Sequence, residues 1–314
     1  MPVRRKLPKA LQGRSFTIID GAAEGLSRRR SQGKDLFTPS RGIRVPWGHA
    51  QQFQDAVRPV IEVTPGAFAS FGTAARLWEI SVPAWMEGEP RLHIARTGTT
   101  AAERFGVIGH RLRVRDDELG AVAGIPVTSV ARTWLDLASV LLLDDLVAAG
   151  DSIIRSHQRS FGPAVLAKAS LADLAMVVRQ HGRARGVRNA RMALELVRVG
   201  VDSPPETYLR LEAVRRGLPE PDLDVVVFDI HGNGIAWPDL AFRECRVSVQ
   251  YDGRHHLTAQ QQESDARRDN ETVLAGWMPL RITAAIVAKI GYTGAVTLIR
   301  DALLLRGWEP HRSS

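Results

Sequence analysis

The chain has 314 residues, 44% of them hydrophobic and 24% charged, with a net charge of +8 and a single cysteine. That length allows two or three domains with sizeable cores. One cysteine excludes an intramolecular disulfide framework, and no apolar run approaches the ~20 residues that a bilayer-spanning helix needs. The basic start, Met1-Pro2-Val3-Arg4-Arg5-Lys6, is followed by no apolar stretch, so no secretory signal is expected and the cytoplasm is the expected compartment.

Charge is unevenly placed. Residues 1–50 hold 11 Lys/Arg against 3 Asp/Glu, residues 51–200 hold 18 against 15, and residues 201–314 hold 13 against 16. The basic front suits attraction to a phosphate backbone, whereas the acidic carboxy-terminal part needs bound cations to tolerate a polyanion. Residues 1–14 are expected to form a disordered basic tail. Asp20 is then expected to cap a short helix through Glu24, Gly25 to break it, and Ser27 to cap a second helix carrying Arg28, Arg29 and Arg30. Leu36 to Val45 alternates around Pro39 and Gly42 as a two-stranded wing would. Arginine forks match guanine edges and phosphates alike, which makes Arg28, Arg29 and Arg30 candidate DNA contacts. Residues 1–50 thus resemble an abbreviated winged helix-turn-helix of the type found in abortive-infection antitoxins.

Residues 51–150 read as an α+β region. Leu92 to Ala95 and Val107 to Leu112 are short strands. Thr128 or Ser129 caps a helix whose apolar stripe is Val130, Trp134, Leu137 and Ala138, with an i,i+4 pair between Arg132 and Asp136. The stretches Pro65 to Ala75 and Gly124 to Ala138 are similar to segments of AbiEi-type antitoxin proteins, and neither contains a triad, a phosphate loop or a metal cluster. Apolar stripes over Leu141 to Ile154, Ala164 to Arg179 and Val187 to Val199 make residues 151–202 a helical connector, closed by the Gly, Asp, Ser and Pro cluster of Gly200 to Pro205.

Residues 203–314 carry the chemistry. A helix starts at Ser203-Pro204-Pro205-Glu206, carries Tyr208, Leu211 and Val214 on one face and stops at Gly217 and Pro219. Three runs follow, Val225 to Ile230, Ile235 to Phe242 and Val247 to Asp252, the first two separated by the turn His231-Gly232-Asn233-Gly234, and they are expected to form a meander. In the third, Gln250 and Asp252 point one way while Val247, Val249 and Tyr251 pack the other. A helix over about 258–275, a strand from Pro279 to Thr283 and a last helix over about 284–305 complete the order αβββαβα.

That order, with Glu206 on the first helix, Pro238-Asp239-Leu240-Ala241, Gln250-Tyr251-Asp252-Gly253-Arg254-His255-His256, Arg267-Arg268-Asp269 and Gly276-Trp277, resembles the PD-(D/E)XK nuclease superfamily, most closely its very-short-patch-repair-like branch. The resemblance implies a restriction-endonuclease-like αβββαβ domain that hydrolyses DNA phosphodiesters with Mg²⁺ or Mn²⁺. It implies Asp239 and Asp252 as metal ligands, Gln250 completing the set or positioning water, and His256 or Arg268 on the phosphate. Glu206 would stand behind the ligands or reach the metal through water, and Arg267 with Arg268 would contact DNA. The chain has Gln250 where the family usually has Glu; an amide oxygen is still a hard ligand for Mg²⁺.

Structural roles stand beside these. Ser203-x-x-Glu206 is a capping box, Asp252-Gly253 is a common turn pair, and Arg267, Arg268 and Asp269 suit a solvated helix face. His255-His256 has no spaced Cys/His set with it, so no structural zinc is expected. Two functional readings follow: a metal-dependent DNA endonuclease with an amino-terminal DNA-binding region, and a catalytically impaired nuclease fold that binds DNA as an antitoxin-like transcriptional regulator. A protein–protein module is a third, distinguished by the absence of salt-sensitive DNA binding. DNA is the expected partner and no membrane association is expected; a cognate toxin or a homodimer stays open.

Overall fold

The computed structural model describes residues 6–48, 52–98, 100–157, 165–253 and 259–310. It is a mixed α/β chain in two compact units, Met1–Leu141 with Ala172–Ala190, and Leu142–Leu171 with Arg191–Ser314. Residues 151–202 are divided between them.

In the first unit, Lys9–Leu11 form a 3-10 turn, and Leu11 is buried with Phe16, Leu26 and Leu36. The stretch read as a basic tail is therefore anchored by an apolar side chain at its described end. After β1 (Phe16–Thr17), helix α1 (Ile18–Ala23) starts with a capping box, but the cap is Thr17: its hydroxyl accepts the Asp20 N–H at 3.0 Å, and Asp20 returns the bond to the Thr17 N–H at 3.1 Å. The expected second helix is absent. Arg28 and Arg29 lie in a turn, and Arg30–Gln32 make one 3-10 turn whose Arg30 N–H donates to Ser27 Oγ at 3.2 Å. So few residues before Gly33 cannot offset the cost of nucleating an α-helix. The hairpin follows as expected, β2 (Leu36–Phe37) antiparallel to β3 (Ile43–Pro46), and β1 pairs with the other edge of β3.

Helix α2 (Phe53–Glu62) leads into a five-stranded sheet built from β4 (Ala67–Ala69), β5 (Leu92–Arg96), β6 (Val107–Arg111), β7 (Leu119–Val122) and β8 (Ile125–Thr128), in the order β6-β5-β4-β8-β7. Helices α3 (Phe71–Leu77) and α4 (Ala84–Glu87) join β4 to β5. Val57 of α2 packs with Ala69, Ala74, Leu77, Ile125 and Val127. Ile43 and Val45 of the hairpin share a second cluster with Val60, Ala67 and Ile94, so the amino-terminal sheet and the larger one have a common core. Helix α5 (Val130–Leu137) has Ser129 as its cap, Trp134 fully buried, and the expected pair from Arg132 Nε to Asp136 Oδ1 at 3.0 Å. Helix α6 (Leu143–Ile154) belongs to the second unit; α7 (Leu171–Gln180) and the start of α8 (Val187–Leu196) belong to the first.

The second unit centres on α9 (Pro204–Arg215), which packs against α6 and against the last helix. Two packing partners explain its burial. Leu209 and Ala213 enter the main core, Arg210 is buried against Asp151 of α6, and Val214, expected to face inward, is exposed. The three runs that follow do not form one meander. β9 (Val227–Phe228) and β10 (Gly234–Ala236) make a two-stranded ribbon, its turn held by the Asp229 carboxylate, which accepts the His231 and Asn233 N–H groups at 2.8 Å each. The run Ile235 to Phe242 is broken at Trp237-Pro238, since proline offers no ladder donor. Its second half, β11 (Leu240–Phe242), pairs antiparallel with β12 (Val247–Asp252). Helix α10 (Ala259–Leu274) then leads to β13 (Met278–Thr283), which lies parallel to β12. Helix α11 (Ala284–Leu305) covers the sheet and is interrupted at Gly291, whose φ of 68° and ψ of 175° leave the helical region. Among the described residues, no helix is long and apolar enough to cross a membrane.

Candidate functional site

β12 continues past the end of β11, and that overhang builds the site. Register pairs Leu240 with Val249, so Asp239 lies beside Gln250 just where β11 stops supplying backbone acceptors. The Asp239 carboxylate takes over that role: Oδ2 accepts the Tyr251 N–H at 2.6 Å and Gln250 Nε2 at 2.8 Å. The side chain is only 7% exposed. Val247 and Val249 are buried in the core with Tyr251 packed against it, which turns Gln250 and Asp252 to the other face as the alternation requires.

Asp252 is joined across the sheet to a residue that sequence reasoning passed over. Arg281 of β13 donates Nη1 to Asp252 Oδ2 at 2.9 Å, and its Nε and Nη2 grip Asp269 of α10 at 2.9 and 3.0 Å. The hydrogen bonds it donates to Asp269 raise the guanidinium further above its ordinary ionisation range, opposed by burial and aided by the bond to Asp252. No sequence signal marks it: it is a lone arginine within Met278–Thr283, and only the parallel register sets it opposite Gln250.

Gln250 also lines a groove of about 450 Å³ with Trp237 of the β10–β11 junction and Arg267 and Arg268 of α10. Arg267 is 75% exposed on its side chain, with its Nε 3.9 Å from Glu271 Oε1. The structure thus sets Asp239, just ahead of β11, against Gln250 of β12, with Asp252 two residues further along that strand, and Gln250 shares the groove with Arg267 and Arg268. Glu206 is used at the start of α9: it accepts Ser203 Oγ at 2.6 Å and the Asp202 N–H at 2.9 Å, a capping arrangement in which the hydroxyl donates to the glutamate. His256 lies outside the described residues. At the amino terminus Arg28 and Arg29 are exposed, whereas Arg30 is bound bidentately to Asp35 at 3.0 and 2.7 Å.

Two carboxylates and an amide oxygen are hard donors of the kind Mg²⁺ and Mn²⁺ prefer. Among the described residues, no group of three or more His, Cys, Asp or Glu side chains is placed to hold a metal ion. Asp239, Asp252 and Gln250 fit such an ion by donor chemistry, on condition that it shares Asp252 with Arg281.

No family model matches the chain. No solved structure matches it significantly. It is similar to an uncharacterised protein of Mycobacterium tuberculosis, MT2308 in strain CDC 1551 / Oshkosh and Rv2248 in strain H37Rv, with 28% identity over 194 residues in each case. The matched part is 59% of this chain, which spans 62% of the length of those curated relatives.

Proposed function

We propose that the second unit carries a DNA endonuclease domain of the PD-(D/E)XK kind, dependent on Mg²⁺ or Mn²⁺, and that residues 1–50 contribute to DNA binding through Arg28 and Arg29. The observation that carries the reading is the bond between Gln250 of β12 and Asp239 just ahead of β11, with Asp252 two residues further along β12 and Gln250 lining a groove with Arg267 and Arg268. An antiparallel strand pair followed, through a helix, by a parallel third strand supports it, because it sets Gln250 and Asp252 on the central strand of that sheet.

On this reading Asp239, Asp252 and the Gln250 amide oxygen would hold the cation, which supplies a water of lowered pKa and positive charge against the phosphate. The chain does the rest. Buried Asp239 is fixed by the Tyr251 N–H, so its carboxylate costs no reorganisation on binding. Arg267 and Arg268 meet the phosphates of the strand being cut. Arg281 fixes the rotamer of Asp252 and ties it to α10.

A second reading, DNA binding without cutting, is favoured by one contact: the Arg281 guanidinium, which also grips Asp269, already occupies an Asp252 oxygen. Supercoiled and linear DNA incubated with Mg²⁺ or Mn²⁺, with EDTA controls and with Asp239→Ala and Asp252→Asn proteins, separates the two. Metal-dependent cutting that both substitutions abolish supports the nuclease. Cutting at full rate by Asp239→Ala removes that residue from the mechanism. Absence of cutting by the unsubstituted chain on every DNA form, with binding intact, makes the protein a binder.

A further inference from the structure

The first unit contains a cleft of about 800 Å³ walled by two Arg-x-Arg segments. One, Arg111-Leu112-Arg113, runs off the end of β6; the other, Arg183-Ala184-Arg185, lies between α7 and α8. Arg113, Arg183 and Arg185 are exposed and have no carboxylate partner among the described residues. Below this rim the charged groups bond one another. Arg132 donates to Glu118 Oε2 at 2.6 Å and to Asp136 Oδ1 at 3.0 Å, and His181 bonds the other Glu118 oxygen. Three exposed arginines without a carboxylate partner among the described residues, above a floor whose charged groups bond one another, give a potential that draws anions in.

The floor adds features that a simple anion would not use. His110 stacks on Phe71 with ring centroids 4.1 Å apart, and Leu135 and Val140 continue the apolar surface. Asp136 Oδ2 is buried and has no hydrogen-bond partner among the described residues, which leaves an acceptor waiting for a donor. Burial above all, opposed by Arg132, raises the Asp136 carboxyl to about 6, so an incoming N–H group would stabilise its charged form.

We propose that this cleft binds single-stranded nucleic acid, with phosphates on Arg113, Arg183 and Arg185 and one base over His110, Leu135 and Val140, its N–H edge towards Asp136 Oδ2. Arginine walls supply charge-assisted bonds to phosphate, and an aromatic and apolar floor supplies the stacking platform that strand binders use. The volume lies within the ~300–1,000 Å³ of pockets that enclose small ligands, room for a nucleotide or two and not for a duplex. The site requires neither the second unit nor cutting, so it stands apart from the nuclease proposal.

The test is a fluorescence-anisotropy titration of the full chain in EDTA, where cutting is silent. The probe is a labelled DNA or RNA strand of about a dozen nucleotides, long enough to fill a site of the usual size. Arg183→Glu/Arg185→Glu changes exposed side chains, and a melting curve checks that the fold persists. Strand affinity is expected to fall at least about tenfold, and the slope of log affinity against log salt to flatten by roughly 1.4, the ~0.7 per lost phosphate contact for single strands. A duplex of the same sequence should lose much less. An unchanged strand affinity, an equal loss for duplex, or displacement by poly-glutamate as effective as by unlabelled strand would each overturn the proposal. Displacement by a free mononucleotide at comparable concentration would make the cleft a small-ligand site and overturn it too.

Discussion

Asp151→Ala should be among the most damaging single changes in the second unit. The side chains of Asp151 and Arg210 are 2% and 1% exposed, and the carboxylate serves three donors: the Arg198 N–H at 2.7 Å, Thr207 Oγ1 at 2.8 Å and Arg210 Nη2 at 3.3 Å. Alanine removes all three hydrogen bonds at once. Arg210 keeps the Leu196 carbonyl at 2.7 Å and Glu220 at 3.2 Å, but its Nε is already without a partner, so a buried cation is left short of counter-charge. Breaking a buried pair from one side costs about 3–5 kcal/mol, and the orphaned N–H and hydroxyl fall within that figure, because neighbouring losses do not add. The assay is urea denaturation, read as a lower midpoint at unchanged slope. A second variant isolates the cause. Burial raises the Asp151 carboxyl despite Arg210 and its other donors, which means that the fold disfavours the charge; Asp151→Leu/Arg210→Met should therefore recover most of the loss. A loss below about 1 kcal/mol for Asp151→Ala, or a double variant no better than the single one, would refute the reasoning.

Two further predictions concern the first unit. Gly186 has φ +82°, and a Cβ there would lie 2.4 Å from the Ala138 carbonyl carbon and oxygen, so Gly186→Ala should lower stability by at least about 3 kcal/mol; a thermal melt within a degree or two of the unsubstituted chain would contradict that. His110 is lowered to about 4, first by burial and then by the neighbouring charge of His93, whose Nδ1 lies 2.9 Å from His110 Nε2. A depressed folded-state value gives stability that is complete above the ordinary 6.5 and is lost as pH falls from there towards 4. At 1.36 kcal/mol per unit the ceiling is about 3 kcal/mol, discounted to about 1–2 kcal/mol because the ring is only half-buried. His110→Phe should flatten this part of the stability–pH curve, and an NMR titration of His110 centred at 6 or above would sink the argument.

Local chemistry decided which elements could be read in the sequence. Pro204-Pro205-Glu206 and Gly217 bracket α9 because prolines suit the first turn and a left-handed glycine ends a helix, whose φ here is +77°. β12 was legible because its alternation is strict, and with it the facing of Gln250 and Asp252. The failures have equally local causes. Ser27 to Gln32 has a cap and three arginines but lacks the length for a helix, and Arg30 turns to Asp35, outside any helical pattern. The expected meander counted Ile235 to Phe242 as one strand and gave Pro238 too little weight. Val214 was assigned inward from periodicity alone, although a helix packed on two sides has no single stripe.

Pairings between distant positions were out of reach for a different reason. Asp252, Asp269 and Arg281 are far apart in the chain, and each has an ordinary role in its own element: a strand end, a helix face and a short strand. Their convergence is a product of parallel register, since β13 must lie on β12 before Arg281 can reach both acids. The same holds for Arg132, which sequence placed in an i,i+4 pair but which is equally tied to Glu118 of the 3-10 turn before β7. A carboxylate pattern in sequence therefore identifies candidate ligands, while a cation that already bonds one of them is visible only once the sheet is assembled. In this chain Arg281 is that cation, and any metal held at Asp252 would have to share the carboxylate with it.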